Sequence, residues 1–254
     1  MNLTDLRNLD VIVRNAMNVN NAKYKLQMNA SLYLSRTRGG RGLKSFETTY
    51  KEIKVKAATR LLCETDDRMV NVKCFDINRK NKNRSSIIKD GIDYALNDFN
   101  MALSITHNSF EVKYTINEEE KTTNDKVEVG KVLKMFNTKK VESELMSSTW
   151  QGNIFRIRCK DELIIKDTCY NWLTNWRECP VRVINDIHSI HLQIIPTLAF
   201  TNYRSACSSF SKLCRLCKKG DETVKHLLNS FEHFLSVDYI RRHNKALQHI
   251  LFPL

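Results

Sequence analysis

The sequence predicts a mainly α-helical protein, and three observations carry that prediction. Apolar residues recur at three- and four-residue steps along most of the chain, the period of a helix face. Only 7 glycines and 3 prolines occur in 254 residues, too few for the repeated sharp turns of a sandwich or barrel. Apolar–polar alternation over residues 110–116 suggests a short strand or hairpin arm among these helical patterns. The expected architecture is therefore helical, with a short strand or hairpin mid-chain and a small knuckle-plus-helix tail. A hydrophobic content of 42% beside 27% charged residues is enough to build a buried core.

The first helix is read from Leu6, Leu9, Val13 and Met17, which form one apolar stripe, and the polar run 18–21 ends it. Residues 32–43, LYLSRTRGGRGL, follow. Here Arg36, Arg38 and Arg41 surround Gly39, Gly40 and Gly42. Such a turn can bring backbone amides to an anion while guanidinium forks take phosphate oxygens. It lacks the Lys-Ser/Thr ending of a phosphate-binding loop, and on these grounds alone a solvated loop fits equally well.

Ser45 is placed to cap a helix whose apolar face is Phe46, Tyr50, Ile53, Ala57 and Leu61. Residues 1–61 hold twelve Lys/Arg and four Asp/Glu, so the positive excess is concentrated there. The pair Asp66-Asp67 invites comparison with a two-metal catalytic centre. It follows Cys63-Glu64-Thr65 at a helix end, with no third aspartate in an upstream strand, and reads as a polar helix exit. After the basic run 79–84, Ser85 or Ser86 can cap a helix with the stripe Ile88, Ile92, Leu96, Phe99 and Leu103. The alternating strand comes next, and the acidic and polar run 117–125 reads as an exposed linker.

The second half opens on a helix through Val129, Val132, Met135 and Phe136, and residues 150–153 mark a turn. Tyr170, Trp172 and Trp176 read as core aromatics in preference to a base-stacking platform. Pro180 suits a helix start, with Val183, Ile187, Ile190 and Ile194 as the buried stripe and Pro196 as the stop. His188 and His191 lie beside that stripe without a carboxylate partner. The domain reading is thus a basic helical domain over 1–116, a linker over 117–125, a helical domain over 126–206 and a knuckle with a basic helix over 207–254.

The net charge of +13 creates a field that attracts polyanions, with RNA or DNA first among them. The start MNLTDLRNLD carries charges where a secretory signal would be apolar, and no run approaches a membrane span of ~18 apolar residues. An intracellular, reducing compartment, the nucleus included, is expected, with the 8 cysteines as thiols or metal ligands. No membrane partner or small-molecule substrate is indicated.

The tail is the most specific stretch. Cys214 and Cys217 in C-x2-C can grip zinc from one turn, with Lys212, Lys218 and Lys219 lowering the thiolate pKa. Gly220 lets the chain reverse, and His226 at the start of a following helix can return to the sulfurs. A closed zinc site needs four ligands. Phe231 stands in the natural fourth position and cannot ligate, which leaves His233, Cys207 and His243 as alternatives. Beyond them Arg241, Arg242 and Lys245 lie on a basic helix that can track a phosphate backbone or simply face solvent.

These residues carry a resemblance. Cys214-Arg-Leu-Cys217, eight residues and His226-Leu-Leu, then Tyr239 and Arg242-His243-Asn244, resemble the region after the polymerase of LINE-type (non-LTR) retrotransposon reverse transcriptases. Asn171-Trp-Leu with Gln193-Ile-Ile-Pro-Thr and Tyr203 is similar to that family's WL…Q-x-x-x-PT stretch, and residues 32–43 to its LYLPR…GGRGL motif beyond the polymerase thumb. The motifs keep family order and cover most of the chain, residues 70–145 only loosely. The resemblance implies a helical post-thumb region that helps to hold template RNA or target DNA, with a degenerate knuckle because Phe231 replaces the fourth ligand. Neither a polymerase palm nor a nuclease centre can be assembled from these residues, so no enzymatic activity is expected of the chain by itself.

Overall fold

The computed structural model describes residues 2–64, 66–78, 86–106, 109–116, 118–161, 170–173, 179–205, 211–230 and 240–251. The fold is mainly α, with a small antiparallel sheet mid-chain. It divides into two compact units, each assembled from separated stretches: unit 1 from residues 1–19, 29–145 and 165–174, unit 2 from 20–28, 146–164 and 175–254. The boundary expected over 117–125 therefore falls inside unit 1.

Unit 1 begins with α1 (Leu3–Val19), the short α2 (Ala30–Tyr33), α3 (Phe46–Cys63), α4 (Asp67–Ile77) and α5 (Ile87–Phe99). Ser45 caps α3 by accepting from the Thr48 amide, and Ser86 caps α5 by accepting from Lys89, both as the sequence predicts. Each cap is reinforced from a neighbouring helix. Asp10 of α1, 6% exposed, accepts from the Ser45 hydroxyl at 2.7 Å and the Phe46 amide at 2.9 Å. Asp76 of α4 does the same for Ser86 and the Ile88 amide. A carboxylate at a helix N-terminus also meets the positive end of the helix dipole. Asp66 is a cap too, accepting from Arg68 at the start of α4, so the pair opens a helix where it was expected to close one.

α3 and α5 cross closely because Gly91 presents no side chain. A Cβ there would lie 2.3 Å from that of Ala58. This crossing corrects the predicted face of α3: Val55, Ala58 and Leu62 are buried, while Phe46 and Ile53 are exposed. Asn100 adopts a left-handed conformation and ends α5, so Leu103 belongs to a strand rather than to the helix. β1 (Met101–Thr106), β2 (Ser109–Ile116) and β3 (Glu119–Thr123) form the sheet in that order. The alternation of β2 is as read, with Phe110, Val112 and Tyr114 buried. β3 occupies most of the expected linker, pairing Thr123 with Val112 and Glu119 with Ile116. Its polar composition hid it, because only Thr123 of that strand is buried. α6 (Lys126–Ser147) then adds Val129, Val132 and Leu133 to the core.

Unit 2 contains α7 (Asn153–Lys160), α8 (Val181–His191), α9 (Leu198–Ser205), the knuckle and α10 (Ile240–Leu251). The turn before α7 is fastened by Arg156, which donates to the carbonyls of Met146, Ser148 and Thr149. Gln151 pins the 20–28 stretch by accepting from the Met28 amide and donating to the Leu26 carbonyl, each at 2.8 Å. The buried face of α8 is Ile184, Asn185, His188 and Ser189, whereas Val183 of the predicted stripe is 43% exposed. Polar groups in that face are what misdirected an apolar count.

Candidate metal centre and basic surface

The knuckle is a tight reversal closed by backbone bonds. The Cys214 amide donates to the Gly220 carbonyl and the Glu222 amide to the Lys212 carbonyl, each at 2.8 Å. The Lys218 amide donates to Cys214, and Lys218 itself takes a left-handed φ of 59° to make the turn. Past Gly220, Thr223 accepts from the His226 amide at 3.0 Å and starts the returning helical turn. A π turn over His226–Ser230 follows. The imidazole is thereby brought back to the sulfurs.

Among the described residues, Cys214, Cys217 and His226 form a group able to hold a metal ion, with ligand atoms all within 4.8 Å of one another. Cys217 Sγ lies 3.2 Å from His226 Nε2. Zinc bonds of ordinary length at a tetrahedral angle would separate sulfur and nitrogen by about 3.6 Å, so a shift of a few tenths of an ångström would seat the ion. Cys214 is fully buried. Hydrogen bonds from the Cys217 and Leu216 amides hold its thiol below the ordinary value, against the effect of desolvation. A donor set of two thiolates and an imidazole fits zinc. His233, Cys207 and Phe231 lie outside the described residues; His243 is on α10 and exposed.

Glu222 was not singled out by sequence reasoning. It is 2% exposed and locks the knuckle to α9. Its carboxylate accepts from the Arg215 amide, Nε and Nη2 at 2.9, 3.0 and 2.8 Å, and from the Leu198 amide at 3.2 Å. The Glu222 carbonyl accepts from Ala199. The Arg215 guanidinium, ahead of these backbone bonds, lowers its pKa. The adjacent acids Asp221 and Glu222 inside a basic run were the available signal.

The arginine–glycine loop is organised inward. The amides of Gly39, Gly40, Arg41, Gly42 and Leu43 donate to the carbonyls of Arg36, Ser35, Ser31, Leu34 and Leu32 respectively. The amides expected to meet an anion are thus engaged within the loop. Arg38 pairs with Glu142 at 2.5 Å. Arg36 Nε donates to the Arg41 carbonyl, and burial, helped by the neighbouring Arg36 charge, lowers Arg41 to about 10. Tyr170 packs against Gly39 and is buried, as expected of a core aromatic. The side chain of Trp172, and Trp176 altogether, lie outside the described residues.

Several cations of residues 1–61 are paired with carboxylates. Arg7 pairs with Glu47, Lys51 with Glu47 and Asp98, and Lys54 with Asp90. In unit 2, Lys212, Arg215, Lys218, Lys219 and Lys225 are exposed around the metal group. Arg241 and Lys245 are exposed on α10, which also carries Arg242 in its backbone. Loop arginines and helix cations thus belong to different units. His188 is buried, and desolvation lowers His191.

No described helix is long and apolar enough to cross a membrane. Compared with protein-family models, with curated proteins and with solved structures, the chain matches none of them.

Proposed function

We propose that this chain is a nucleic-acid-binding module, related to the segment that follows the polymerase in LINE-type reverse transcriptases, acting inside the cell and without chemistry of its own. The observation that carries the proposal is the convergence of Cys214, Cys217 and His226 on a turn that also exposes Lys212, Arg215, Lys218 and Lys219. Zinc held there would cross-link the turn to the returning helix and so fix the cations of the knuckle in one arrangement. Lys212, Lys218 and Lys225 then face a phosphate backbone, and Arg241, Arg242 and Lys245 extend the charge along α10. RNA or DNA backbone is the partner; a membrane or a small-molecule substrate has no place in this reading.

Arg36, Arg38 and Arg41 are the weaker part of the proposal, because Arg38 is paired and the loop amides are satisfied. The same observation favours a second reading, a protein-interaction remnant of a retroelement in which the loop is structural and nucleic acid is not bound. Filter binding of single-stranded RNA and DNA across a salt series separates the two. The module predicts affinity that falls steeply and log-linearly with salt as counterions are released. Replacing Arg241, Arg242 and Lys245 together by alanine should reduce the slope by about 2, at ~0.7 per phosphate contact on a single strand. Absent binding, or affinity flat in salt, supports the remnant.

A further inference from the structure

Three rings of unit 2 form a column that the core leaves open at one end. Phe200 and Tyr203 are three residues apart on α9 and so share a helix face. Trp150, from the turn before α7, lies between them. Its ring is 5.7 Å from Phe200, tilted by 41°, and 4.8 Å from Tyr203 at 23°, a stacked pair. The indole N–H donates to the Gln193 carbonyl at 2.8 Å, and the hydroxyls of Tyr203 and Thr149 are 3.0 Å apart. Both rings are therefore held in orientation. Phe200 is 3% exposed and Tyr203 is 50% exposed.

A ring stacked on one side and wet on the other suits a planar ligand. The surrounding charge says which kind. Arg204 follows Tyr203 and is exposed. The start of the same helix is joined to the knuckle through Glu222, whose carboxylate also holds Arg215. Tyr203 lies five helical steps beyond Leu198, about 7.5 Å along the axis. A flat group attached to a polyanion matches an open ring with Arg204 next to it on a helix whose start is joined to the cationic knuckle.

We propose that Tyr203, backed by Trp150, is a stacking platform for one base of a single-stranded nucleic acid whose backbone passes over Arg204 towards the knuckle. This rests on the nucleic-acid reading above and adds a base contact to a backbone grip. Bases of a duplex are already stacked on their neighbours, so the platform selects single strands, and it tolerates any base because each has a π face.

The test compares labelled oligothymidylate with an abasic strand of the same length, titrated into the zinc-loaded full chain at one salt concentration. Wild type should bind the base-carrying strand about 5- to 150-fold more tightly, the range for one aromatic stack. Tyr203→Phe keeps the ring and should keep the ratio; Tyr203→Leu should bring it towards one. In parallel, a 5-iodouracil strand photocrosslinked to wild type should yield a labelled peptide at Tyr203, a readout that needs no variant to fold. Equal affinity of wild type for the two strands, an unchanged ratio in folded Tyr203→Leu, or crosslinks only elsewhere overturns the platform and leaves the backbone grip standing. Failure to bind either strand overturns the nucleic-acid reading, and the platform with it.

Discussion

Gly39 lies directly beneath the ring of Tyr170: a Cβ built on the glycine would meet Cζ at 2.6 Å and Cε2 at 2.8 Å. The glycine also holds a φ of +88°, a conformation L side chains rarely adopt. Two penalties therefore fall on one substitution. Gly39→Ala should destabilise unit 1 by about 2–6 kcal/mol, summing ~1–3 for the backbone and ~1–3 for overpacking. Urea unfolding checks this, and a loss below roughly 1 kcal/mol would show that Tyr170 yields freely.

Acid should weaken unit 1 through Glu47. Hydrogen bonds from Arg7, with further help from Lys51 and against partial desolvation, hold this carboxyl at about 2, below its ordinary 4.5. A folded-state pKa below the unfolded one stabilises the protein fully above the unfolded value. That contribution is lost as pH falls from about 4.5 through about 2. Arg7 is 59% exposed, so water screens the pair and the effect is modest. Glu47→Gln should lower stability at neutral pH and flatten its decline across that window. A decline as steep as wild type would assign the acid sensitivity to other carboxylates.

What was legible in the sequence is what a local pattern can encode. Ser45 and Ser86 announce helix starts because the capping oxygen and its amide are three residues apart. The alternation of β2 is equally local. Asp10 and Asp76 were invisible, since each caps a helix that begins at least ten residues further on. β3 was read as a linker because it presents little apolar surface and is specified by the β2 edge it pairs with. In the tail, Cys214, Cys217 and His226 could be found from spacing, whereas Glu222 acts through a contact to α9 that spacing does not contain.

Glu222 is accordingly predicted to govern how the knuckle is seated. Glu222→Gln keeps the shape, removes the charge and turns an amide N–H₂ towards donors that now meet a carboxylate oxygen. The expected cost is roughly 1–2 kcal/mol, the lower part of the range for charge-assisted hydrogen bonds because Arg215 is largely in water. Guanidinium unfolding with and without zinc measures it. Stability within a few tenths of wild type in both series would mean that the backbone bonds alone hold the junction.

The metal site can be resolved ligand by ligand. Cys217 Sγ and His226 Nε2 are already 3.2 Å apart, so little of the chain must move to admit zinc. The purified protein is expected to carry one zinc per chain, and Cys214→Ser, Cys217→Ser or His226→Ala to carry none. The fourth ligand is named by comparison. Loss of zinc in both Cys214→Ser and His233→Ala would assign His233. Loss in the first alone would turn attention to Cys207, His243 or water as the fourth ligand. Cobalt substitution adds an independent reading, since its visible absorption distinguishes four-coordinate thiolate sites from more open ones. Wild-type protein that takes up neither metal would leave Cys214 and Cys217 as packing thiols, and the knuckle as a fold held by its backbone bonds and Glu222.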